Sequence, residues 1–227
     1  MRLGESDRSQ NGTTQREAWP GDDLGGAGEP GGDADDGAGA DGGRPALLLP
    51  GRAYGPQFPL LYYARRCLAD AGRHVQALEW PSGELAPGCV VRMLQEAVDR
   101  LPDGPRDLVL LAKSTGTHAI PWAAEHGVPG IWLTPLLQVP AVRAALPSLP
   151  AGSLLVGGTA DPTWDGEVAA ASGLPVLQLE GADHNLELPG HVHRSLAALA
   201  RVVTAVSDTL SPSIREDLTP ARGLSLR

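Results

Sequence analysis

The chain is poor in several residues that usually mark a special class of protein. Only two cysteines, Cys67 and Cys89, occur in 227 residues, and each lies in a segment with helical patterning. Neither a disulfide scaffold nor a paired-cysteine metal site is therefore expected. No run of about 18 apolar residues is present, and no charged start leads into a short apolar core. These absences argue against a membrane span and against secretion, and a reducing cytoplasm is the compartment they fit. Aromatic residues make up 4% of the chain, and lysine occurs once, as Lys113, against 17 arginines.

Positive charge is also scarce. The formal net charge is −9, but residues 1 to 44 hold ten acids and four arginines, a net of −6. The remainder is nearly balanced at −3 and has no basic stripe, so no nucleic-acid partner is expected.

Glycine and proline are abundant, at 29 and 21 residues, and they punctuate the chain unevenly. Residues 1–43 are dominated by Gly and Asp, with Leu3, Trp19 and Leu24 as the only large apolar residues. Such a stretch cannot bury enough surface to offset the entropy of ordering it, so it is read as a disordered acidic arm. Residues 208–227, polar and interrupted by prolines, are read as a flexible tail. The intervening 44–207 are long enough for one domain with a sizeable core.

Within that domain, short apolar runs alternate with amphipathic ones. RPALLLP (44–50), HVQALEW (74–80), DLVLLA (107–112), PGIWLT (129–134), GSLLVGG (152–158) and PVLQLE (175–180) read as six strands, most of them apolar on both faces. The segments between and after them, near 57–72, 88–101, 115–126, 139–146, 164–172 and 190–206, have helical spacing. This alternation predicts an α/β fold, a three-layer α/β/α arrangement around a mostly parallel six-stranded sheet. Functional residues then belong at the carboxyl ends of the strands.

One such end, LVLLAKSTGTH at 108–118, admits two readings. Lys113-Ser114-Thr115 resembles the close of a phosphate-binding loop, but that loop needs glycine one residue before the lysine and again five before that. Ala112 and Asp107 stand there, and a buried strand runs between them. The other reading is a sharp strand-to-helix turn presenting Ser114, with small residues two before and two after it. Ala112 and Gly116 meet that need, although the first position is more often glycine.

A serine hydroxyl is a weak nucleophile until a base takes its proton, and the base needs a third group to orient it. TADPTWD follows the fifth predicted strand and GADHNLE the sixth, which offers Asp161 as acid and His184 as base. The order Ser114, Asp161, His184 suits such an arrangement on a parallel sheet. Asp165 and Asp183 are rival acids: one lies further into the next helix, the other beside the histidine. Lys113 is expected to point away from the site and to pair with a carboxylate behind the turn. His118, His126, His191 and His193 read as surface or helix-face residues, so no metal is expected. Tyr54, Trp80 and Trp164 lie near strand ends, where they could line a substrate pocket or belong to the core.

Together LLLPGRAYG, AKSTG, GTADPTWD and GADHNLE, in that order over residues 44–206, resemble the α/β hydrolases. The closer resemblance is to the small, lid-less bacterial members of the dienelactone-hydrolase kind. The resemblance implies strand order 2-1-3-4-5-6 and an oxyanion hole of two backbone N–H groups. One would belong to Thr115; the other matches best at Arg52, with Ala53 as the near alternative. It also implies a serine hydrolase acting on a small-molecule carboxylic ester or thioester, with Tyr54 and Trp164 as substrate contacts and no cofactor. Acyl transfer, release of an acyl chain from a carrier protein, and a non-catalytic interaction module are the alternatives. Only about 17 residues link the fourth and fifth strands, enough for one helix and no lid domain. Because the base must be neutral, activity is expected to fall as pH drops through about 6 to 7.

Overall fold

The computed structural model describes residues 43–81 and 86–211. The arm expected over 1–43, apart from Gly43, and most of the tail expected over 208–227 lie outside the described residues. Six strands form one sheet: β1 (Arg44–Leu49), β2 (Arg73–Ala77), β3 (Val109–Lys113), β4 (Gly130–Leu133), β5 (Leu154–Gly158) and β6 (Val176–Leu179). Their order is β2-β1-β3-β4-β5-β6, and every neighbouring pair is parallel. The order is the one the family resemblance implies.

Side chains alternate across the sheet, as the twofold period of a strand requires. Leu47, Leu49, Leu110, Ala112, Trp132 and Leu155 face one core. Ala46, Leu48, Leu111, Ile131, Leu133 and Val156 face the other. Helices α1 (Pro59–Asp70) and α6 (Val192–Leu210) cover the second face through Leu61, Leu68, Val202 and Val206. Helices α2 (Pro87–Val98), α3 (Ile120–His126), α4 (Pro140–Ala145) and α5 (Gly166–Ala171) cover the first through Val90, Leu94, Ile120, Val142 and Ala169.

Proline sets where four of these helices begin. Pro59, Pro87, Pro121 and Pro140 each stand in the first two positions, where the absent N–H is not needed and the fixed φ is already helical. The first turn of α5 is capped instead by Asp165, whose Oδ1 accepts from the Val168 N–H at 3.1 Å. Helix α6 runs to Leu210, past the expected boundary at 207. Its last turns are anchored on α1, where the Ser207 hydroxyl lies 3.3 Å from the Cys67 sulfur. It ends before Ser211, which precedes Pro212 and is thereby biased away from helix.

Between β4 and β5 the chain has room for α4 and one 3₁₀ turn, Leu146–Ser148, as the link length suggested. The carboxyl edge of the sheet is therefore not roofed by an insertion there. No helix among the described residues is long and apolar enough to cross a membrane.

Candidate active site

Strand β3 ends at Lys113 and the chain turns at once. Ser114 has φ 50°, in the left-handed region that L side chains seldom occupy. Holding a residue there costs about 1 to 3 kcal/mol, which the surrounding packing must supply. Gly116 shows how tight the turn is, because a Cβ on it would overlap the carbonyl of Leu49 at the end of β1. The Thr117 hydroxyl donates to the Ser114 carbonyl at 2.5 Å and accepts from the Leu136 N–H at 3.2 Å, bracing the turn against the loop after β4.

The helix expected from residue 115 begins as a 3₁₀ segment over Ser114–Ala119, and α3 follows from Ile120. Pro121 supplies the reason. It has no N–H to give the carbonyl four residues back, so the preceding turns close with shorter-range bonds.

His184 stands in the loop after β6 and Asp161 in the loop after β5. The Ser114 hydroxyl lies 2.8 Å from His184 Nε2, and His184 Nδ1 lies 2.8 Å from Asp161 Oδ2. With Nδ1 protonated, the imidazole donates to the carboxylate and accepts from the serine. The Asp161 side chain is fully buried and that of His184 is about one-third exposed.

Thr163, which the sequence reading passed over, completes the acid. Its N–H and its hydroxyl both donate to Asp161 Oδ1 at 2.8 Å. Burial alone would favour the neutral acid. The hydrogen bonds from His184 and Thr163 outweigh it and hold the Asp161 carboxyl below its ordinary pKa. The signal was present in Asp161-Pro162-Thr163, since an aspartate commonly accepts from the N–H two residues on.

The rival acids have other work. Asp165 caps α5 and pairs with Arg143 at 3.0 Å. Asp183 Oδ1 accepts from the N–H groups of Asn185 at 2.8 Å and Glu187 at 3.0 Å, folding the loop that carries His184.

Lys113 departs from expectation. It is buried, and among the described residues it makes no ion pair with a carboxylate behind the turn. Its ammonium donates to the His184 carbonyl at 2.9 Å and to the Thr134 hydroxyl at 3.3 Å, and lies 4.6 Å from the centre of the Tyr54 ring. Lys113 is the last residue of a strand after which the chain turns away, and its long side chain reaches the His184 loop. Burial pushes its pKa down to about 8, against the pull of the Asp161 and Asp183 carboxylates.

The loop after β1 closes the site from the other side. Gly51 and Tyr54 face each other in a tight turn, with the Gly51 N–H bonded to the Tyr54 carbonyl at 3.1 Å, and Arg52 and Ala53 form its tip. A Cβ placed on Gly51 would stand 3.6 Å from that of Ser114, so this turn lies directly beside the serine. Thr115 follows Ser114 in the 3₁₀ segment. A cavity of about 460 Å³ opens here, walled by Arg52, Tyr54, Lys113, Ser114, His184 and Glu187 among others.

Tyr54 is a wall of this cavity; Trp164 is not. The Trp164 ring packs in the core beneath α5, where it fills the space a Cβ on Gly157 would take, and its N–H donates to Gln178 at 2.9 Å. The glycine in β5 makes room for the ring, and this turns Trp164 inward. His118, His126, His191 and His193 do not gather, and no cluster of three metal-ligating side chains exists among the described residues.

No family model matches the sequence, and no curated protein sequence matches it either. Solved structures do match the fold. They include an α/β hydrolase of unknown function from Agrobacterium tumefaciens, with TM-score 0.60 and 11% identity, over 75% of this chain and 87% of that one. Est1E from Butyrivibrio proteoclasticus has TM-score 0.60 and 13% identity, over 76% of this chain and 89% of its own. A dienelactone hydrolase from Anabaena variabilis has TM-score 0.56 and 20% identity, over 75% of this chain and 86% of its own. The chain has the α/β-hydrolase fold. In its compact form it is similar to dienelactone hydrolase and to esterase structures, as the sequence motifs suggested.

Proposed function

We propose that the protein is a serine hydrolase that cleaves a carboxylic ester or thioester through an acyl-enzyme intermediate. The observation that carries the reading is the unbroken chain of 2.8 Å contacts from Ser114 through His184 to Asp161 at the carboxyl edge of the sheet. The strained backbone at Ser114 and the cavity around its hydroxyl support it, because a buried structural serine would need neither.

In this reading Ser114 Oγ attacks the acyl carbon while its proton passes to His184 Nε2. Asp161 keeps the imidazole in the needed tautomer and stabilises the imidazolium that forms. The bond to the leaving oxygen or sulfur then breaks, and His184 gives it the proton. Water attacks the acyl-serine, with His184 again taking and returning one proton, so acid and free Ser114 result. The Thr115 N–H and the Arg52 N–H, or that of Ala53 at the same turn, hold the oxyanion. Each such donor is worth about 3 to 4 kcal/mol in the transition state.

The test is turnover of p-nitrophenyl acetate and of an acetyl thioester by the wild type and by Ser114→Ala. Hydrolysis lost in the variant supports the reading. A Ser114→Ala protein as active as the wild type contradicts it.

A further inference from the structure

A second cavity, of about 270 Å³, adjoins the one at Ser114, and the two share Tyr54, Pro59, Asn185 and Glu187 as walls. This second cavity lies between the start of α1, the loop after His184 and the first turns of α6. Its apolar wall is made by Leu60, Leu186, Leu188, Leu196 and Leu199. Two residues one turn apart at its α6 lip, Val192 and Leu196, are 71% and 59% exposed. Aliphatic side chains so placed leave apolar surface in water beside a cleft, an arrangement explained when a ligand covers it.

Two hydroxyls in this wall are engaged elsewhere. The Ser195 hydroxyl bonds to the Leu188 N–H at 2.9 Å and to the His191 carbonyl at 3.2 Å. The Tyr54 hydroxyl accepts from the Leu60 N–H at 3.2 Å, and its ring packs against Phe58 and the Lys113 ammonium. Glu187, a wall of both cavities, disfavours an anionic guest in the second one, whose walls carry no lysine or arginine.

The position fixes which part of a substrate enters. His184 Nε2 must protonate the leaving oxygen, so the leaving group lies on the His184 side of the reacting carbon. Residues 185 to 192, which directly follow that histidine, build much of the second cavity. Resting on the hydrolase reading above, we propose that this cavity binds the alkyl chain of the leaving alcohol. The substrates are then uncharged esters of alcohols with apolar tails.

The test measures kcat/KM for acetate esters of linear primary alcohols from ethanol to octanol, with the wild type, Leu196→Glu and Leu196→Ala. Ser114 labelling by a fluorophosphonate is followed alongside. In the wild type each added methylene should raise kcat/KM about three- to fourfold until the cavity is filled, as burial of about 0.8 kcal/mol per CH₂ implies. A parallel series of ethyl esters with lengthening acyl chains should rise less steeply. Leu196→Glu should lower the octyl-to-ethyl ratio at least tenfold and Leu196→Ala by less. A flat alcohol series with Ser114 still labelled overturns the proposal and leaves the hydrolase reading standing. An unaltered ratio in Leu196→Glu, accompanied by a change in self-association, assigns the lip to a second copy of the chain and also overturns it. No labelling and no turnover of any ester overturns both.

Discussion

The ammonium of Lys113 donates to the main-chain carbonyl of His184 at 2.9 Å, so the residue before the turn serine holds the loop that carries its histidine partner. The lysine's other contacts are the Thr134 hydroxyl and the Tyr54 ring face. A charge buried on such partners is costly, and an apolar side chain of similar length would pack in its place at lower cost. What the lysine supplies is a directional bond that ties β3 to the loop after β6.

Lys113→Met should therefore lower kcat about tenfold while leaving the protein folded, because the His184 loop loses its tether. The wild type should lose activity on the alkaline side with an inflection near pH 8, where Lys113 gives up its proton. A pH profile of kcat/KM checks this: the inflection should vanish in Lys113→Met.

The same lysine links stability to pH with a definite sign. Its pKa is about 8 in the folded chain against an ordinary 10.5, so between those values the unfolded chain binds more protons. Folded stability relative to Lys113→Met should then rise as pH increases from 8 to 10.5, by on the order of 3 kcal/mol at about 1.36 kcal/mol per unit. Urea unfolding of both proteins across that range measures the difference. A difference that stays constant, or falls, contradicts the assignment.

Thr163→Val removes the hydroxyl donor on Asp161 but keeps the backbone one. The Asp161 carboxyl, held below its ordinary pKa, should rise, and kcat should fall about three- to tenfold. Because a depressed carboxyl contributes stability that is lost as pH falls through its folded pKa, the variant should also begin acid unfolding at a higher pH. Circular dichroism against pH would reveal the shift.

Gly116→Ala forces a methyl group against the Leu49 carbonyl. Backbone cannot yield as a side-chain tip can, so the expected loss is about 3 kcal/mol, several degrees in Tm for a domain of this size. Calorimetry of the variant tests the account of the turn, and an unchanged Tm would show that the two segments are not in close approach.

Much of this architecture was legible because covered parallel strands leave an unmistakable pattern. Runs such as Leu108 to Ala112, apolar at every position, placed β3, and the helical spacing of apolar residues between such runs placed the helices. The strand ends then placed Ser114, Asp161 and His184 where the structure brings them together. What the sequence could not carry was the direction of single side chains. Trp164 stands two residues before the start of α5 and was a candidate pocket wall, but the glycine at 157 draws it into the core. Lys113 sits on a strand end from which its long side chain could run in several directions, and only the packed loop after β6 selects one. Thr163 was passed over although the Asp161-Pro162-Thr163 turn signals its bond to the aspartate, because the turn does not say that this aspartate faces the histidine.

The central claim is that Ser114 is an activated nucleophile. Intact-mass measurement after treatment with a fluorophosphonate probe tests it most directly, using the wild type, Ser114→Ala, His184→Ala and Asp161→Asn. One adduct is expected on the wild type, none on Ser114→Ala, and labelling slowed by several orders of magnitude in His184→Ala. Turnover by Asp161→Asn should fall about 10,000-fold. A folded wild type that takes no adduct, or a Ser114→Ala variant that still takes one, would contradict it.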